Sequence, residues 1–211
     1  MNNIKTATGC LGVVLAGGLS SRMGKNKASL LRNGVDMLSF SQQLLTDAGV
    51  NQVIVSGDQY QVNDIVTQAG PVGGIYSVIQ RYQPQSLLIL PVDLPLMTAA
   101  ALQKLKITGE LSNKACFYQD HQIPLYLPNS AYLEMFLQQA FSASVLQQSK
   151  QQALMNKSSK EKRGPSMKAL LKQVPHQALS LADTAEKNTK TNILFNTNTP
   201  EQWQQAQTQF R

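Results

Sequence analysis

Cysteine, histidine and aromatic residues are scarce in this 211-residue chain, and each shortage removes a class of function. The two cysteines, Cys10 and Cys116, are far apart and form no C-x-x-C pair, which excludes a zinc cluster or dithiol motif. Both read as buried small hydrophobes on strands, reduced as in a cytoplasmic protein. The two histidines, His121 and His176, have no metal-ligand spacing and read as surface or turn residues. No apolar run is long enough to span a membrane. The sequence Ala7-Thr8-Gly9-Cys10 faintly mimics a lipoprotein cleavage site but lacks the apolar region that precedes one, so a cytoplasmic chain without membrane contact is expected. Aromatics make up only 6% of residues, and no RNA-recognition motif, zinc spacing or helix-turn-helix pattern accompanies the net charge of +7. The positive charge therefore points to an anionic small molecule, not to nucleic acid.

What remains is an ordinary globular composition, 42% hydrophobic and 15% charged, long enough for one substantial core. A single domain over residues 1–211 is expected. Buried-type apolar runs alternate with amphipathic stretches, the rhythm of a mostly parallel sheet layered between helices in an α/β/α sandwich. Strands are predicted at Leu11–Ala16, Gln52–Ser56, Leu87–Leu90, Ala115–Tyr118, Ile123–Leu127, Ala178–Leu181 and Ile193–Phe195. Helices are predicted around Leu38–Ala48, from Gly70 to Arg81, from a Thr98 cap to Lys106, and over Tyr132–Ala140 and Ser166–Lys172. Thr199-Pro200-Glu201-Gln202 reads as a capping box before a last helix. Phe141 to Gly164 is rich in Gln, Ser and Lys, and part of it is expected to be mobile.

The first strand empties into Leu15-Ala16-Gly17-Gly18-Leu19-Ser20-Ser21-Arg22-Met23-Gly24-Lys25-Asn26-Lys27. Glycine lets backbone amides close on an anion, and Arg22, Lys25 and Lys27 bring cations to the same loop, so the segment suits phosphates. It is not a P-loop: five residues separate Gly18 from Gly24-Lys25, and Asn26 stands where Ser or Thr would meet magnesium. Nor is it a G-x-G-x-x-G dinucleotide loop. Ligands of open α/β sheets lie beyond the carboxyl ends of strands, where Asp93 of Pro91-Val92-Asp93-Leu94-Pro95 also falls. One carboxylate suffices for Mg²⁺ when phosphates and water supply the rest, so Asp93 is the candidate metal ligand. The plain alternative for Asp93 is a turn residue.

The loop resembles the L-A-G-G-x-S-x-R-M-G-x-x-K signature of MobA-like nucleotidyltransferases, most closely the bacterial molybdenum cofactor guanylyltransferases. The resemblance extends from Val13 to Gln202 and is specific at four islands. Besides the loop and the P-x-D-x-P run they include Gly70-Pro71-Val72-Gly73-Gly74, similar to a G-P-L-x-G element, and Asn196-Thr197-Asn198-Thr199-Pro200, similar to an N-x-N-T-P element on the pterin side. It implies a Rossmann-like nucleotidyltransferase fold with a nucleotide-binding half at about 9–107 and an acceptor-binding half at about 108–211. It also implies transfer of GMP from Mg·GTP to the phosphate of molybdopterin cofactor. Arg22, Lys27 and Asp93 would be catalytic, with Asp93 on Mg²⁺. The nucleotide would lie on Leu15, Ala16, Gly17, Gly18, Lys27, Ser56, Asp64, Gly74 and Asp93. Ser56 departs from the asparagine usual in the family, and a hydroxyl cannot present an amide's paired functions, which loosens the expectation for guanine. The basic stretch Lys160–Lys168 would meet the pterin phosphate or else be a solvated loop. The resemblance also implies transient contacts with molybdenum-insertion proteins and recipient molybdoenzymes. Two other readings stay open: a relative using CTP or another phosphorylated acceptor, and a non-catalytic nucleotide or cofactor carrier.

Overall fold

The computed structural model describes residues 9–17, 27–142, 164–181 and 192–210. Strand β1 (Cys10–Leu15) is followed by a single 3₁₀ turn (Lys27–Ser29), a hairpin of β2 (Leu31–Arg32) and β3 (Val35–Asp36), and helix α1 (Met37–Asp47). Next come β4 (Gln52–Ser56), α2 (Gly70–Tyr82), β5 (Ser86–Pro91) and α3 (Ala99–Ser112). The second half contributes β6 (Ala115–Tyr118), β7 (His121–Pro128), α4 (Ala131–Ala140), α5 (Met167–Gln173), β8 (His176–Leu179) and α6 (Pro200–Gln207). The main sheet has six strands in the order β4-β1-β5-β7-β6-β8, and only β7 runs against the others. This is the expected three-layer, mostly parallel α/β architecture.

Sheet alternation sorts the core into two layers. Val14, Leu88 and Leu90 face α1, α3 and α6, where Leu45, Leu102 and Trp203 meet them. Leu11, Val13, Leu87 and Ile89 face α2, α4 and α5, where Ile75, Leu133 and Leu170 close the other side. Both faces of β1 and β5 are thus covered, which is why these strands read as unbroken apolar runs.

Local chemistry sets most boundaries. Asp36, Thr98, Ser130 and Ser166 each accept a backbone N–H at a helix start, and Thr199 with Gln202 forms the reciprocal capping box. The structure corrects several expectations. Helix α3 runs to Ser112 instead of Lys106 and ends where Asn113 takes a left-handed conformation with φ 51°. β8 is displaced toward the N-terminus of its expected span, because Ala115 through Tyr118 pair with His176 through Leu179. Ile193–Phe195 is not a strand. Asn192 accepts from the Leu194 N–H through its side chain and from the Phe195 N–H through its carbonyl, closing a turn that drops Ile193 and Leu194 into the core. Cys116 is buried, but Cys10 is only half-buried, at the head of β1. The β2–β3 hairpin is unanticipated, although Asn33-Gly34 between them carries its signal: both take positive φ, 49° and 84°, as a tight hairpin turn requires. Most of the Phe141–Gly164 stretch lies outside the described residues.

The hairpin is tied down by Arg32, whose guanidinium stacks 4.4 Å from the Phe40 ring and 5.1 Å from the Phe210 ring while Nε donates to the Pro95 carbonyl at 2.8 Å. One arginine thereby joins the hairpin after the glycine-rich loop, the segment after Asp93 and the chain just beyond α6.

Gly109 offers a test of packing against propensity. A Cβ there would run into the Tyr126 ring on β7, and that ring is buried. Gly109→Ala would gain helix propensity on an isolated helix but should destabilise this protein by about 1–3 kcal/mol, measured as a fall in the urea midpoint with unchanged slope.

Candidate active site

Three parallel strands, β4, β1 and β5, end at one edge of the sheet, and the chain crosses from one side of β1 to the other between β4 and β5. Such a reversal opens a crevice at the strand ends. The exit of β1 is pinned on both sides. Ala16 donates its N–H to the Ser56 carbonyl at 2.9 Å, and Val92 donates to the Leu15 carbonyl at 3.2 Å. At Gly17 the loop crosses the end of β4 with backbone against backbone: a Cβ on Gly57 would lie 2.7 Å from the Gly17 nitrogen. Gly57 also has φ 148°, so a side chain there would be strained as well as blocked.

Lys27 sits at the start of the 3₁₀ turn and returns to the same edge. Its Nζ lies 3.1 Å from Asp93 Oδ2 and 2.7 Å from Asn198 Oδ1. The Lys27 and Asp93 side chains are only 16% and 18% exposed, so the pair is largely shielded from solvent. The backbone of Asp93 is fixed by Thr197, whose N–H and hydroxyl both donate to its carbonyl, at 3.0 and 3.3 Å. Asp93 Oδ1 is shielded from solvent and has no hydrogen-bond partner among the described residues.

A second cluster lies beside the first. Ser56 is 1% exposed, and its hydroxyl likewise has no partner among the described residues. A Cβ on Gly74 would stand 3.0 Å from Ser56 Oγ, 3.2 Å from the Leu15 side chain and 3.7 Å from Asp64 Oδ1. Leu15, Ser56, Asp64 and Gly74, distant in sequence, therefore border one space. The loop that brings Asp64 there is held by Ser77, which accepts the Ile65 N–H at 2.9 Å and donates to Gly73, and by Arg81 bonded to the Gln61 carbonyl. Helix α2 begins at Gly70 with no side-chain cap from its N-cap residue Ala69 and with proline in its first turn.

A model of the MobA-like NTP transferase domain matches residues 12–162. The chain belongs to that family. A molybdenum cofactor guanylyltransferase of Xanthomonas euvesicatoria is 40% identical over 120 residues, 55% of this chain and 62% of that protein. The match thus spans less than two thirds of that relative. A probable molybdenum cofactor guanylyltransferase of Flavobacterium johnsoniae is 27% identical over 180 residues, covering 81% of this chain and 85% of its own. Among solved structures, molybdopterin-guanine dinucleotide biosynthesis protein A of Archaeoglobus fulgidus superposes with a TM-score of 0.63 at 16% identity, covering 94% of this chain and 97% of the other. At that identity the likeness concerns the fold, and the fold is that of nucleotidyltransferases.

Of the expected site residues of this MobA-like chain, Leu15, Ala16, Gly17, Ser56, Asp64, Gly74, Lys27 and Asp93 gather at one sheet edge in two adjoining clusters. Gly18 and Arg22 lie outside the described residues, as do Lys157, Lys160, Lys162 and Arg163; Lys168 is exposed on α5. No group of three or more His, Cys, Asp or Glu capable of holding a metal occurs among the described residues. The fit to a divalent cation rests on Asp93 alone, whose second oxygen is an unengaged acceptor of the hard, anionic kind that Mg²⁺ prefers. Asn198 is the residue that sequence reasoning missed at the ion pair. Its signal was the Asn196–Pro200 run, which gave no indication that the side chain meets Lys27. Among the described residues no helix is long and apolar enough to cross a membrane.

Burial, and after it the Asp58 carboxylate, push the Asp64 carboxyl above its ordinary value of 3.8. The folded chain then holds that proton more tightly than the unfolded chain. Folding stability carries no penalty below the ordinary value and loses ground as pH rises through the raised one. Asp64→Asn should therefore raise the melting temperature at neutral pH, with the gain shrinking to nothing as pH falls below 3.8. Thermal melts of both proteins across that range check it, and a pH-independent difference would contradict the assignment.

Proposed function

We propose that the protein transfers GMP from GTP to the terminal phosphate of molybdopterin cofactor, forming the guanine dinucleotide and releasing pyrophosphate. The observation that carries this reading is the meeting of Lys27, Asp93 and Asn198 beside the glycine exit of β1, in a chain of the MobA-like family. The arrangement matches what phosphoryl-type transfer demands of a protein, which is alignment and charge neutralisation.

The backbone around Ala16, Gly17 and Gly18 holds the phosphates at the exit of β1, where Gly17 packs directly against the Gly57 backbone. Lys27, joined in this proposal by Arg22, neutralises the triphosphate. Leu15, Ser56, Asp64 and Gly74 surround the base: Gly74 leaves the space open, and a carboxylate at Asp64 accepts from the paired N–H donors on guanine's edge. Asp93 would hold Mg²⁺ through Oδ1. When bound, the cation withdraws charge from the phosphate oxygens and orients them. The acceptor phosphate is already anionic at neutral pH, so no side chain needs to remove its proton. The acceptor oxygen forms the new bond to the α-phosphorus, the bond from the α-phosphorus to the α–β bridging oxygen breaks, and the bridging oxygen leaves with pyrophosphate. The acceptor side falls to the half from about residue 108 onward within a single domain, including the basic stretch at Lys160–Lys168. A reducing cytoplasmic setting suits Cys10 and Cys116, which are free. Molybdenum-insertion proteins and recipient apoenzymes are the transient partners this role needs.

One observation keeps a second reading in play. The hydroxyl of Ser56 can donate one hydrogen bond and accept others but offers no paired amide, so the pocket tolerates CTP more readily than an asparagine would. Magnesium-dependent pyrophosphate release from GTP, CTP, ATP and UTP, each with and without molybdopterin cofactor, decides between them. Acceptor-dependent release with GTP is expected; release with CTP alone moves the assignment to cytidylyl transfer, and binding without release from any nucleotide leaves a carrier. Lys27→Ala and Asp93→Asn should each lower turnover by about a hundredfold or more while the circular dichroism spectrum stays that of the wild type.

A further inference from the structure

Asn198 contacts none of the reacting groups in the proposed transfer, yet it makes the shorter of the two side-chain contacts of Lys27, 2.7 Å against 3.1 Å. An ammonium group has three N–H donors. Two of them are committed here, one to Asp93 Oδ2 and one to Asn198 Oδ1, and two fixed acceptors leave the third donor a single direction. A lysine bonded to Asp93 alone would rotate freely about that contact and settle onto the carboxylate, masking its own charge.

Asn198 is built as a fixed mount. Its backbone N–H donates to Gln202 Oε1 at 2.6 Å, and that same oxygen accepts the Thr199 N–H within the capping box. On its other side Thr197, 1% exposed, is bonded twice to the Asp93 carbonyl. Helix α6 is anchored in the core by Trp203 and Ala206. The segment that presents Asn198 therefore moves only if α6 and the Asp93 backbone move with it. The side chain is also neutral, so it orients the ammonium without cancelling the charge that a polyphosphate needs.

We infer that Asn198 is a positioning residue, holding the Lys27 ammonium partly off the Asp93 carboxylate so that its third N–H faces the phosphate chain of the nucleotide. The inference rests on the phosphate-binding role proposed for Lys27, but not on the choice of base or acceptor.

The test is a double-mutant cycle on the full chain with Asn198→Ala, Lys27→Ala and the pair, read by calorimetric titration with inorganic tripolyphosphate and with GTP, magnesium present throughout. Melting temperatures confirm that each variant is folded. Asn198→Ala should weaken tripolyphosphate binding by about tenfold, the scale of one hydrogen bond to a charged group, and should have no further effect in the Lys27→Ala background. Asn198→Asp should bind tripolyphosphate more weakly still, because it adds negative charge and draws the ammonium back. A full additional loss from Asn198→Ala in the Lys27→Ala background would overturn the inference, since Asn198 would then touch the ligand itself. Unchanged binding by folded Asn198→Ala would overturn it too. If Lys27→Ala alone leaves tripolyphosphate binding intact, the phosphate role of Lys27 fails and this inference falls with it. Should the wild type bind tripolyphosphate but not GTP, the guanylyl reading is what fails, and the coupling measured with tripolyphosphate still supports Asn198.

Discussion

The parallel pairing of β1 with both β4 and β5 is the constraint on which the rest depends. Leu11 to Leu15 are matched on one side by Gln52 to Ser56 and on the other by Leu87 to Pro91, so three chain exits are forced onto one edge. From that follow the crowding at Gly17 and Gly57, the hydrogen bonds from Ala16 and Val92, and the delivery of Asp93 beside the loop after β1. Helices on both faces keep the sheet dry, which makes its open edge the natural place for a charged ligand.

Among the described residues, buried side-chain nitrogens and oxygens elsewhere have hydrogen-bond partners. The Tyr118 hydroxyl donates to the Ala101 carbonyl at 2.9 Å, and the hydroxyls of Ser41 and Ser77 donate to the carbonyls of Met37 and Gly73. The unsatisfied buried side-chain atoms among the described residues, Ser56 Oγ and Asp93 Oδ1, both lie at the ends of these parallel strands. Each such atom costs about 1–3 kcal/mol in a folded protein. Concentrating that cost at one edge is the mark of a surface shaped around something other than its own chain. The shielded Lys27–Asp93 pair belongs to the same economy: neither charge is fully solvated, and each limits the cost of the other.

How much of this was legible depended on how local its cause was. β4 was readable to the residue, because Gln52–Ser56 lies between a glycine stop and a glycine turn. The caps at Thr98 and Thr199 were readable because a cap is a contact between neighbours in sequence. The meeting of Lys27 with Asp93 was legible through the rule that ligands gather at strand ends, although the residues are 66 positions apart. Three features were hidden. Ile193 and Leu194 have strand-like side chains, but Asn192 offers a competing turn that only tertiary packing selects. Gly109 looks like a helix stop and is instead the place where α3 passes over the Tyr126 ring. Asn198 reads as a turn before a cap, and nothing local relates it to a lysine on the other side of the sequence. The hairpin at Asn33-Gly34 is a different case, since its signal was present and its strands of two residues were too short to stand out.

The separation of Lys27 and Asn198 by 171 positions has a consequence for the protein during its own synthesis. A nascent chain that has emerged as far as β5 already carries the strands of the parallel core and the glycine exit, but it lacks the segment that fixes Lys27 and the Asp93 backbone. The ribosome therefore delivers the parallel strands of the sheet long before the segment that completes the hydrogen bonding of Lys27 and of the Asp93 backbone.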